Sequence, residues 1–91
     1  MPNTETDRVI QGHQVTHGDF VDTARVAQRL KLIIQDEMII RVKRGQSALT
    51  YTQVESLDLI MTKIARMISG DADFPDHVLD IAGYAMLANK E

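Results

Sequence analysis

One stretch dominates the chain: from Asp19 to Arg44 the sequence runs without proline or glycine and with apolar residues at helical spacing. Asp19 is a good N-cap with Asp22 in the first turn, and Gly45 supplies a stop, so the pattern predicts a helix of about 26 residues, about 40 Å long. Its apolar residues fall on two adjoining stripes. Phe20, Ala24, Ala27, Ile34 and Met38 make one, and Val26, Leu30, Ile33 and Ile40 make the other, with Arg25, Arg29, Gln35 and Asp36 left for solvent. One partner helix does not cover both. In a chain of 91 residues, which buries only about 60–65% of its extended surface, so wide an apolar surface predicts a second subunit related by a two-fold axis. A homo-oligomer, a dimer first, is therefore expected.

The remainder reads as two shorter helices. Residues 45–50 form a loop, after which Thr50 or Thr52 caps a helix with Gln53 or Glu55 three residues later to complete a capping box. Val54, Leu57, Met61, Ile64 and Ile68 repeat at spacings of 3, 4, 3 and 4, which predicts a buried stripe ending at Gly70. A third helix is expected from Phe74 to about Asn89, capped by Asp73 and with Pro75 and Asp76 in its first turn. Val78, Leu79, Ile81, Ala82, Ala85, Met86, Leu87 and Ala88 make it apolar almost all round, which predicts a central position, and Gly83 hints at close approach by another backbone. Residues 1–18, with Pro2, Gly12 and Gly18 and no sustained period, read as an irregular arm with a short extended piece at Arg8-Val9-Ile10. The expectation is thus an all-α, three-helix domain over residues 19–91 behind an N-terminal arm, completing a helical bundle by dimerisation.

Composition narrows the chemistry. Aromatics are only 4% of the residues, so the core is built from aliphatic side chains and methionine, and five methionines read as core filling. With no cysteine there are no disulfides, thiolate metal sites or thiol nucleophiles, as in a reducing compartment. Apolar runs such as Leu32–Ile34 fall far short of the roughly 20 residues of a membrane span, and residues 1–18 lack the apolar stretch of a secretory signal. No membrane contact is expected. The net charge is −3 and uneven: residues 19–44 hold six basic and four acidic groups, residues 45–91 three and seven. Such a balance argues against nucleic acid as a partner, and the last helix is neither polar nor basic enough to enter a major groove. Arg41, Lys43 and Arg44 read first as cations complementing the end of a helix dipole.

Two groups of residues are candidates for a site. Asp80 lies on an apolar helix where an unpaired charge is costly, and an antiparallel helix pair brings Lys63 and Arg66 toward Asp80 and Tyr84. That cluster reads either as an ion pair fixing helix register or as a carboxylate and cations surrounding a phosphorylated ligand. Glu55 and Asp58, with Asp76 and Asp80, form two carboxylate pairs at helical spacing, a donor set suited to Mg²⁺ held against phosphates. His13 and His17 have the spacing of a two-histidine metal site, but Gly12 and Gly18 bracket them and oppose a helix there.

His17-Gly18-Asp19-Phe20, Lys63-Ile64-Ala65-Arg66 and the run from Asp80 to Ala88, Asp-Ile-Ala-Gly-Tyr-Ala-Met-Leu-Ala, together resemble a family of small bacteriophage and prophage proteins of unknown function. The resemblance covers residues 17–88 and implies expression in the cytoplasm of a bacterial host. More distantly, Glu55 and Asp58 with Asp76 and Asp80 resemble the metal-binding pairs of MazG-type all-α nucleoside triphosphate pyrophosphohydrolases, although the second pair is spaced by four residues rather than three. The first expectation is an accessory protein that binds a host or phage protein, or a phosphorylated small ligand, with no cofactor. The alternative that the second resemblance implies is a Mg²⁺-dependent pyrophosphohydrolase.

Overall fold

The computed structural model describes residues 19–90. The expected arm over residues 1–18, its extended piece at Arg8–Ile10, and the His13/His17 pair lie outside the described residues. The rest is all-α: α1 spans Phe20–Lys43, α2 Tyr51–Ser69 and α3 Pro75–Leu87.

Local chemistry sets the helix ends. Asp19 caps α1 by accepting a hydrogen bond from the Val21 amide at 2.8 Å, and Asp22 in the first turn pairs with Arg25 at 2.8 Å. At the other end Gly45 takes φ +85°, which no L side chain adopts without strain, and its amide donates to the Val42 carbonyl while the Gln46 amide donates to that of Arg41. This pair of bonds satisfies carbonyls the helix would otherwise leave open and turns the chain back. Arg41 Nε then donates to the Ser47 carbonyl at 2.6 Å, tying the loop to α1. Of the two possible caps for α2, the structure uses Thr50: its hydroxyl accepts from the Gln53 amide at 3.1 Å and Gln53 Oε1 accepts from the Thr50 amide at 3.0 Å.

The cap of α3 is Phe74, not the expected Asp73. Pro75 takes the first helical position, where its missing N–H costs nothing, and that choice moves the cap to the residue directly before it. Asp71 organises the turn instead, accepting from the Asp73 amide through Oδ1 at 2.9 Å and from the Phe74 amide through its carbonyl at 3.2 Å.

α2 is the middle helix: α1 and α3 each pack on it, and α1 and α3 do not touch each other. This corrects the expectation that α3 is central: Val78, Leu79, Met86 and Leu87 all face outward. An apolar composition makes a helix able to be buried, but only its neighbours decide whether it is. Across the α1–α2 contact Thr23 shares a 2.7 Å hydrogen bond with Ser69, and Ala27, Met61 and Ala65 are buried. The half-buried residues Leu30, Ile34 and Met38 continue this seam along α1. Small side chains at Ala27 and Ala65 let the two helices approach closely, but they also make the core thin. Among the described residues no other apolar side chain is fully buried, whereas Phe20, Leu32, Ile33, Ile39, Ile68, Leu79 and Met86 are each more than half exposed. No helix among the described residues is long and apolar enough to cross a membrane.

Candidate functional site

The turn at Gly70–Phe74 folds α3 back along α2, so residues about equally far from that turn face each other. Lys63 and Asp80 are such a pair, and Lys63 Nζ lies 2.6 Å from Asp80 Oδ2. The lysine side chain is only 12% exposed, whereas that of Asp80 is 42% exposed, so the ammonium is the group taken out of water and the carboxylate sits at the rim. The Lys63 hydrogen bond holds the Asp80 carboxyl below the usual carboxylate range, partial desolvation opposes it, and the charges of Lys63, His77 and Arg66 add to the lowering. Arg66 follows Lys63 by one turn on α2 and is half-buried, and Tyr84 follows Asp80 by one turn on α3, also half-buried.

His77 completes this cluster. It is the one large side chain among the described residues with no exposure at all, and its ring meets that of Phe74 edge to face with centroids 5.1 Å apart and planes at 76°. Phe74 caps α3, so this contact ties the cap to the first turn of the helix. The sequence reading passes over His77, although the spacing carries a signal: His77, Ile81, Tyr84 and the C-cap Ala88 recur every three or four residues, with Asp80 beside Ile81, and these are the least exposed positions of α3 beyond its N-cap.

The expected four-carboxylate magnesium set does not assemble. Glu55 is exposed in the first turn of α2, Asp58 is half-buried one turn on, and Asp76 is exposed in the first turn of α3. Because α3 runs antiparallel to α2, Asp76 lies beside the C-terminal part of α2, away from Glu55 and Asp58 at its start. Asp80 is already paired with Lys63. Among the described residues no three histidine or carboxylate side chains converge on a point that would hold a metal ion.

A different concavity lies toward the start of α2. Met38, Ile39 and Val42 of α1, Leu49 of the loop and Val54 of α2 line an open groove of about 630 Å³. Its walls are almost wholly apolar, with Gln35 and Lys43 at the edge, so it suits hydrocarbon side chains rather than a phosphate.

No protein-family model matches the chain, and no curated protein or solved structure matches it either.

Proposed function

We propose that this chain is an accessory binding protein that works by docking its exposed helix surfaces on another protein, a host or phage protein in the cytoplasm of an infected bacterium. The observation that supports this most is the imbalance between a core of Ala27, Met61 and Ala65 and the large apolar side chains left outside. Apolar patches beyond a few hundred Å² are rare on monomers and mark contact surfaces.

α3 carries the surface best suited to a foreign partner. Leu79 is 66% and Met86 79% exposed, they lie two turns apart, and Gly83 sits between them on the same side. A side chain added at Gly83 would meet nothing within 4 Å, so no neighbour in this chain uses the space that the glycine leaves. The close approach that its presence in a helix hints at is therefore assigned to a partner. Lys63, Arg66, Asp80 and Tyr84 support this surface from behind: the Lys63–Asp80 ion pair sets the register in which α3 lies on α2, and an ammonium already bound to a carboxylate is a poor phosphate ligand.

The test places a photo-crosslinking residue at position 79, and separately at the exposed loop position 46, in protein expressed in bacteria. Discrete adducts from position 79 that disappear in a Gly83→Leu background are expected, because leucine fills the open space without disturbing the helix and raises its propensity. Equal adducts from both positions contradict the reading. So does release of pyrophosphate from nucleoside triphosphates with Mg²⁺ that is lost in Glu55→Gln.

A further inference from the structure

One flank of α1, beside its seam with α2, carries an uncharged track. Val21, Gln28, Leu32, Gln35, Ile39 and Val42 fall within about 80° of one another round the helix, and none of them is charged. The track runs from the first turn of α1 to the apolar groove, whose α1 wall is built on Gln35, Met38, Ile39 and Val42. Its four apolar members are each more than half exposed. The two glutamines, both exposed, carry amide groups that donate to and accept from an extended main chain, so a strand laid on the track keeps hydrogen-bond partners.

The chain preceding Asp19 has the length and the side chains to lie there. The groove residues of α1 come 16 to 23 positions after Asp19, which is about 24–35 Å along the helix axis. Val9 and Ile10 come 10 and 9 positions before Asp19, which is about 30–33 Å of extended chain. A strand running back along α1 therefore brings the one adjacent aliphatic pair of residues 1–18 to the groove. Successive side chains of an extended chain point to opposite sides, so one of the pair enters the groove and the other stays at its mouth. Asp7 and Glu5 follow, beside Lys43 at the groove's edge and Arg44 at the end of α1. Opposite charges thus meet where the apolar contact ends.

We propose that the groove is filled by this chain's own residues 5–10, which run antiparallel to α1 along the uncharged track, with Val9 or Ile10 in the groove and Asp7 and Glu5 against Lys43 and Arg44. The surface is separate from that of Leu79 and Met86, so the proposal does not depend on the partner assigned to α3.

Disulfide trapping in the full chain tests it, since no natural cysteine competes with an introduced pair. Ile10→Cys is combined with Ile39→Cys in one variant and with Leu79→Cys in another; positions 39 and 79 are both exposed. Each variant is oxidised in dilute solution and read by intact mass and non-reducing electrophoresis. Thr23 bonds to Ser69, which sets the start of α1 near the turn leading into α3, so a segment docked nowhere reaches position 79 at least as readily as position 39. Closure within the monomer at position 39, and none at position 79, is expected. A second measurement uses no cysteine: Ile10→Asp is expected to shift the methyl NMR signals of Met38, Ile39 and Val42 and to leave those of Leu79 and Met86 in place. Closure at position 79 equal to that at position 39, disulfides that form only between chains, or groove methyls that ignore Ile10→Asp overturn the proposal.

Discussion

Lys63 Nζ sits 2.6 Å from Asp80 Oδ2 across the α2–α3 contact, with the lysine nearly buried and the aspartate at the rim. The asymmetry decides what each substitution does. Asp80→Asn leaves an ammonium out of water without its counter-ion, and Lys63→Met removes that charge and keeps the packing of its stem. Thermal melting is expected to rank wild type above Lys63→Met and Lys63→Met above Asp80→Asn. The reverse order of the two variants would mean that the lysine is not held in the seam.

The same pair predicts a pH dependence. Asp80 titrates lower in the folded protein than its unfolded value of about 3.9, so the pair contributes stability above that value and loses it as pH falls through the folded one. The gap in melting temperature between wild type and Asp80→Asn is expected to be constant from neutral pH down to the carboxylate range and to close below it. A gap that persists unchanged in strong acid would assign the effect to something other than this carboxylate.

His77 is expected to matter more for folding than its polarity implies. It is wholly buried and packs edge to face on Phe74, so His77→Ala leaves a cavity under the first turn of α3. By comparison with other large-to-small core changes the cost is about 2–4 kcal/mol, read from urea denaturation. A loss below about 0.5 kcal/mol, the size of an ordinary surface change, would show that the site is not a packing centre.

The helix ends yield a smaller pair of expectations. Gly45→Ala forces a Cβ into a left-handed conformation and costs about 1 kcal/mol, and Thr50→Ala removes half of a capping box at about 1 kcal/mol. Each lowers the melting temperature by about 4–8 °C in a domain of this size. Should Gly45→Ala melt with the wild type, the turn after α1 does not hold the conformation described.

How much of this was legible in the sequence depends on the range of the physics involved. Asp19, Gly45 and the Thr50–Gln53 box act within four residues of themselves, so the ends of α1 and the start of α2 can be read directly. The Phe74 cap was missed by one residue because Pro75 takes either of the first helical positions, and only the Asp71 turn chooses between them. Lys63 and Asp80 were legible as a pair because both stand about two turns from the same short turn. Convergence of Glu55, Asp58, Asp76 and Asp80 was not, since spacing within a helix says nothing about where along a partner helix each pair comes to lie. His77 escaped because a core search by apolar residues passes over a buried imidazole. The central placement of α3 failed for a related reason: its outward side, with Val78, Leu79, Met86 and Leu87, is as apolar as its inward one.

Thermal unfolding followed over a wide range of protein concentration tests most directly whether a single chain is an incomplete structure. If other chains complete the core, the melting temperature rises steadily with concentration, because association stabilises the folded state by mass action. A melting temperature independent of concentration, with a single cooperative transition, would show that α1, α2 and α3 are sufficient by themselves and would contradict the central claim.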